Sequence, residues 1–178
     1  ANDATITSID ALVGNITITT GNDATISEAP VSTGTITITS PGVIAVDNAN
    51  LATGLVLNNT GGTSGEDINL GDTGNGNTGT EKVTTATITS IGAIDGSEGT
   101  GLNVVENLTM TAAEDSTLTA DNPANTQTLN LNADSSGVAN TPEVTYTVDA
   151  LNVETINLGG VTAVEVSIND EDVTTETV

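Results

Sequence analysis

The stretch "NITITTGNDATIS", residues 15–27, is followed by "GTITITSPGVIAVD", residues 34–47, and the pair decides the fold. Each holds two short alternating runs on either side of a glycine turn. Ile16, Ile18, Ala24 and Ile26 return twenty residues later as Ile36, Ile38, Ile44 and Val46. Alternation with a period of two sends apolar residues to one face of a strand and the intervening threonines to the other. A two-strand unit repeated at a short fixed interval predicts rungs that stack, inward residues over inward residues, as in a solenoid. The expected fold is therefore all-β: a parallel β-solenoid or β-roll with rungs of about twenty residues. Two tandem immunoglobulin-like β-sandwiches of about seven strands each are the alternative. Sandwich cores usually rely on a large central side chain, however, and the only aromatic residue here is Tyr146.

Composition agrees with strands. Threonine makes up roughly a fifth of the chain, and β-branched residues suit a pleated, half-buried surface. No segment sustains apolar spacing at the helical period, and the alternating Val, Ile and Leu runs set the chain apart from a disordered acidic tail.

A longer repeat overlays the short one. "ATITSIDALVG" (4–14) matches "ATITSIGAIDG" (86–96) at eight of eleven positions. "ITITTGNDATIS" (16–27) aligns with "LTMTAAEDSTLT" (108–119), "TGTITIT" (33–39) with "TQTLNLN" (126–132), and "EDINLG" (66–71) with "ETINLG" (154–159). The order is kept, so a duplicated unit is expected, residues 1–81 and then 82–178. Residues 97–106 and 134–143 read as insertions on the flank.

The chain carries 24 Asp and Glu, one Lys, and no Arg or His, for a formal net charge of -23. Binding nucleic acid or an anionic membrane needs Lys or Arg to displace counterions, and one aromatic residue offers no platform for bases. Neither nucleic acid nor membrane insertion is expected. There is no Cys, so disulfides cannot report the redox compartment, and no long apolar run for a membrane span. A first residue, Ala1, that is not Met leads us to expect a processed or excised form, and the near-absence of Lys and Arg suits a surface-exposed, protease-resistant protein.

Catalytic machinery is scarce. Without His or Cys there is no His-based triad, thiolate nucleophile or His-containing zinc site, and without Arg there is no phosphate clamp. Carboxylate pairs could in principle hydrolyse glycosides, but among 24 acids some always lie close together. The chain is read as not an enzyme.

The acids suit a hard cation instead. Calcium takes carboxylate, amide and carbonyl oxygens, with glycine permitting the turns that aim them. In "GGTSGEDINLGDTGNGNTG" (61–79) the candidate ligands are Glu66, Asp67, Asp72 and Asn75; the competing reading is a glycine–asparagine connector. Further candidates are Asp95 with Glu98, Asp170 with Asp172, and Asp23 and Asp115 at matching places in the two halves; each also reads as a solvated acidic turn. Two carboxylates about 4 Å apart repel by about 1 kcal/mol in water and about 4 at an effective dielectric of 20. Stacked rungs would repeat that repulsion, so positive charge has to come from solution, as calcium or, in a halophilic protein, as concentrated salt. The sequons at Asn15, Asn58 and Asn107 are read as strand-end residues rather than glycosylation sites.

"LNVETINLGGVTAVEVSIND" (151–170) and "TQTLNLNADSSG" (126–137), with the Thr, Ala, Gly and Asn bias, resemble lattice-forming regions of bacterial surface-layer proteins of the type I-secreted, calcium-dependent, repeat-in-toxin kind. Their "VET-[ILV]-N-[IL]" segment is matched by Val153 to Leu158, and in part by Glu66 to Leu70. The resemblance implies β-solenoid-like domains held together by calcium, whose crystallisation forms a lattice. Intact nonapeptide repeats are absent, and no anchoring domain is evident. The expected function is thus a secreted structural protein that self-assembles at the cell surface through calcium bridged by acidic residues. Its partner is itself, with a surface glycan reached through another region. The alternative is a calcium-stiffened module of a large adhesin or a viral surface fibre.

Overall fold

The computed structural model describes residues 2–6, 14–26, 34–46, 53–61, 67–70, 83–96, 104–118, 127–133, 144–150, 153–159 and 163–168. Fifteen strands follow one another along these residues: β1 (Ala4–Ile6), β2 (Ile16–Thr19), β3 (Ala24–Ile26), β4 (Thr35–Ser40), β5 (Ile44–Val46), β6 (Gly54–Asn59), β7 (Ile68–Leu70), β8 (Val83–Thr89), β9 (Ile94–Asp95), β10 (Val104–Ala112), β11 (Ser116–Leu118), β12 (Thr128–Ala133), β13 (Thr145–Ala150), β14 (Thr155–Gly159) and β15 (Ala163–Ile168). The odd-numbered strands form an eight-stranded sheet and the even-numbered strands a seven-stranded one. Within each sheet every strand pairs in parallel with the strands two before and two after it. The chain therefore alternates sheets at every step and climbs as a parallel β-solenoid. The two-sandwich alternative fails, because sandwiches are built from antiparallel pairs.

Register confirms the short repeat residue by residue. Ile16 and Ile18 lie beside Ile36 and Ile38, and Ala24 and Ile26 beside Ile44 and Val46. Later rungs lengthen: Leu55 pairs with Ala86, a step of 31 (86 − 55), and Ser116 with Tyr146, a step of 30 (146 − 116). The strand cores stay in step while the connections take up the difference, which costs little because loop-closure entropy grows slowly with length. Val104–Glu106, read from the sequence as part of an insertion, belongs to β10 and meets β8 through a register irregularity between Val104 and Asn107. Residues 134–143 lie outside the described residues.

The core lies between the two sheets. Ile38, Leu57, Ile88, Met110 and Leu131 form one column and are fully buried, facing Ile44, Ile68 and Ile94 of the odd sheet. Burying each such side chain is worth about 1.5–3 kcal/mol, so the stack gains with every added rung. Strands of the first half pair directly with strands of the second in both sheets, β6 with β8 and β7 with β9.

The long sequence repeat maps unevenly onto this scaffold. Segments 16–27 and 108–119 occupy equivalent places, β2–β3 and β10–β11, as do β4 and β12. Segment 4–14, by contrast, begins with β1 of the odd sheet while its counterpart 86–96 begins in β8 of the even sheet, and β7 and β14 are likewise on opposite sheets. There the likeness follows from what any strand of the stack demands: inward aliphatics and outward threonines.

Candidate functional site

The sharpest local geometry sits at the corner leading from the even sheet into the odd one. Its first position is filled in successive rungs by Thr20, Ser40, Asn59 and Ser90, all buried. Buried polar groups need partners, and these side chains supply them to the backbone. Ser40 Oγ accepts from Gly42 N–H at 3.2 Å, Asn59 Oδ1 from Gly61 N–H at 3.1 Å and Ser90 Oγ from Gly92 N–H at 3.2 Å. They also tie one rung to the next: Ser40 Oγ donates to the Asn22 carbonyl, and Asn59 Nδ2 to the Gly42 carbonyl at 2.7 Å. Gly42 is required here, because a Cβ would run into the Asp23 carboxylate and come within 3.0 Å of the Asn22 carbonyl carbon.

The acids at this corner have a backbone task. Asp23 Oδ1 accepts from Val43 N–H at 2.9 Å, Asp67 Oδ1 from Ala93 N–H at 3.0 Å and Asp115 Oδ1 from Thr145 N–H at 2.8 Å. Each carboxylate thus caps an amide of the rung above. The rung above carries Val, Ala or Thr at that position, so from Asp23 onward aspartates occupy every second rung. Two rungs separate them by about 9.6 Å, twice the strand spacing, which lowers the pair repulsion in water to about 0.4 kcal/mol. Asp3 and Asp23 are the exception, being neighbours; Asn22 Nδ2 donates to Asp3 Oδ1 at 2.7 Å. The sequence argument expected stacked carboxylates; the described corner stacks one pair, Asp3 and Asp23, and spaces the others two rungs apart.

The other sequence-predicted ligands are placed as follows. Asp95 lies on the outer face of β9, exposed, between Asn69 and Thr117 in register. Glu66, Asp72, Asn75, Glu98, Asp170 and Asp172 lie outside the described residues. Among the described residues no three acids come together in a cluster able to hold a metal ion, and Asp23, Asp67, Asp95 and Asp115 are not gathered at one point. Of 61–79 the structure describes Gly61 and residues 67–70, where Ile68 and Leu70 are buried core residues of β7; the rest of the stretch lies outside the described residues. Of the sequons, Asn15 Oδ1 accepts from Thr35 N–H at 3.0 Å, the strand-end use expected of it.

The outer face of the even sheet presents side chains in register. One column reads Thr17, Thr37, Val56, Thr87, Thr109, Asn130, Asn157, and the next Thr19, Thr39, Asn58, Thr89, Thr111, Asn132, Gly159. Glu106 is the one charged residue in the seven even strands. Towards the C-terminal end the columns bond to themselves: Asn157 Nδ2 donates to Asn130 Oδ1 at 2.8 Å and Asn130 Nδ2 to Thr109 Oγ1 at 3.1 Å. Alternation predicted outward threonine ladders, but this contrast depends on pairing partners that alternation alone does not supply.

Tyr146 is the buried group that sequence reasoning passed over. It stands on the inner face of β13, beside Ser116 in register, and its hydroxyl donates to the Asn132 carbonyl at 2.5 Å. Burial pushes its phenol well above the ordinary value, with a backbone hydrogen bond at Ala112 acting in the opposite direction. The phenol is a neutral structural donor.

No protein-family model, curated protein or solved structure shows significant similarity to the chain.

Proposed function

We propose that the chain is a structural module, extracellular and at the cell surface, which self-associates into a lattice, sheet or filament with calcium bridging acidic residues of neighbouring copies. The observation that carries this reading is the unbroken run of two parallel sheets through fifteen strands, a stiff body whose corner side chains Asp23, Asn59 and Asp67 serve its own backbone. The net charge of -23 supports the cation requirement, because copies so charged repel until positive ions lie between them. In this role the acids are ion ligands and rim charges, and no chemistry on a substrate is asked of them.

Light scattering of the full chain tests the proposal, with calcium, with EGTA, and with sodium chloride raised in place of calcium. Calcium should produce large particles that EGTA disperses and sodium does not reproduce. If calcium raises the melting temperature while the particle stays small, the chain is a stiff repeat of a longer adhesin or viral fibre. No response to calcium in either size or melting would end the calcium reading, and rescue by sodium alone would point to halophilic screening.

A further inference from the structure

We propose that the N-terminal part of the even sheet's outer face is an ice-binding surface, with ordered water as its ligand. Four observations converge on it, and none depends on the assembly proposed above. First, the threonines form a grid rather than a line: two adjacent columns hold threonine in the first two rungs and again at β8, with Val56 and Asn58 on the rung between, while at β10 Thr109 and Thr111 accept from Asn130 and Asn132. Parallel pairing in register spaces them by about 4.8 Å across strands and about 6.6 Å along them. An array with two fixed repeats can order water over an area rather than along a line.

Second, the hydroxyls are available. Among the described residues, no side-chain hydrogen bond forms at Thr17, Thr19, Thr37, Thr39, Thr87 or Thr89, unlike the interlocked Asn130 and Asn157 further along. Third, the grid is rigid, because Ile36, Ile38, Leu55, Leu57 and Ile88 beneath it are at most 2% exposed. Rigid side chains hold water in place without the entropic loss that a mobile surface would suffer on meeting a lattice. Fourth, on a chain of net charge -23 this face carries no charge in β2, β4, β6 or β8, which suits a neutral lattice and would not suit an ion. Each threonine offers a methyl group, around which water orders, beside a hydroxyl that joins the resulting network.

The test uses the whole chain in EGTA, so that calcium-driven assembly does not enter. Ice-crystal shaping, thermal hysteresis and partition into a growing ice front are measured for the unmodified protein, for Thr37→Lys and Thr87→Lys on the grid, and for Thr25→Lys and Thr117→Lys on the outer face of the odd sheet. Circular dichroism and melting confirm folding of each. The unmodified protein and the odd-sheet variants should enter ice and shape it, and the grid variants should lose both properties. An unmodified protein excluded from ice overturns the proposal, a result that needs no variant to fold. Equal loss in the odd-sheet variants also overturns it, as does a grid variant that changes particle size while leaving ice activity intact, which would assign the face to a second copy of the chain.

Discussion

From Thr20 to Ser90 the corner between the sheets is closed by small polar side chains; from Ala112 onward the same place is closed another way. In the first part, Ser40, Asn59 and Ser90 each accept from an amide two residues on. In the second, Ala112 takes that position, and Ser116 serves from the far side of the turn, accepting from Ile94 N–H at 3.0 Å and donating to the Glu114 carbonyl at 2.9 Å. One rung later Tyr146 stacks on Ser116 and reaches the Asn132 carbonyl. The backbone account is closed both times, as it must be where water is excluded. The difference lies in volume: polar corners leave the core to Ile44, Ile68 and Ile94, whereas small residues at 112 and 116 leave room that one large ring fills.

The largest expected effect is therefore at Tyr146. Tyr146→Ala removes the ring that fills the second corner and should cost about 3–5 kcal/mol, by analogy with other aromatic truncations. Chemical denaturation measures it. Ile44→Ala, in the same column of the first part, should cost about 2–5 kcal/mol. A Tyr146→Ala cost below 1 kcal/mol would mean that the ring fills no necessary space, and the contrast between the corners would fall.

Next comes Asn59. Asn59→Ala strands the Gly61 amide and the Gly42 carbonyl, at about 1–3 kcal/mol for each buried group left without a partner. Asn59→Ser should recover the part due to Gly61, since serine makes that bond at Ser40 and Ser90. Equal melting temperatures for the alanine and serine variants would show that water reaches this corner.

How far all this was legible beforehand depends on the kind of signal. Ile16, Ile18, Ile36 and Ile38 announce themselves because alternation and a twenty-residue interval are properties of the chain alone. The step from Leu55 to Ala86 does not, because the intervening residues break the period while the strands keep their register. Asp23 and Asp115 stand at matching places in the two halves of the sequence and Asp67 in the 61–79 stretch, yet their described contacts are with amides 20, 26 and 30 residues away. Such a partner is fixed by stacking, and no local spacing encodes it. Tyr146 drew notice only as the lone aromatic, since neither Ala112 nor Ser116 shows in sequence that a rung above will need bulk.

A smaller effect separates the phenol from its ring. Tyr146→Phe keeps the volume and loses the bond to the Asn132 carbonyl, about 0.5–1.5 kcal/mol at neutral pH. Its signature is in alkali. The folded-state value of the phenol is raised, so the folded state holds its proton where the unfolded state, near 10, has released it. The stabilisation is fully present below about pH 10 and declines as pH rises beyond it. The unmodified protein should therefore lose stability above about pH 10 more steeply than Tyr146→Phe does. Because the chain has one tyrosine, tyrosinate absorbance should appear together with unfolding rather than ahead of it.

The smallest effect tests what the corner aspartates contribute. Asp23→Asn keeps the oxygen that accepts from Val43 N–H and discards the charge, so melting at moderate salt should move by no more than about 0.5 kcal/mol. Asp23→Ala removes the acceptor and should cost about 1 kcal/mol, the usual worth of one such bond. The charge has little to add: the next aspartate above is two rungs away, and the repulsion from Asp3 one rung below, about 0.9 kcal/mol in water at one strand spacing, is reduced by salt. The same substitution at Asp67 and Asp115 carries the comparison along the stack: Asp115 is exposed, where solvent can replace the lost acceptor, and its alanine variant should cost the least of the three. A triple asparagine variant that melts unchanged but no longer responds to calcium would show these carboxylates capping the rungs with one oxygen and binding the ion with the other. A triple variant that melts several degrees lower would show instead that their charge, and not only their geometry, holds the corner.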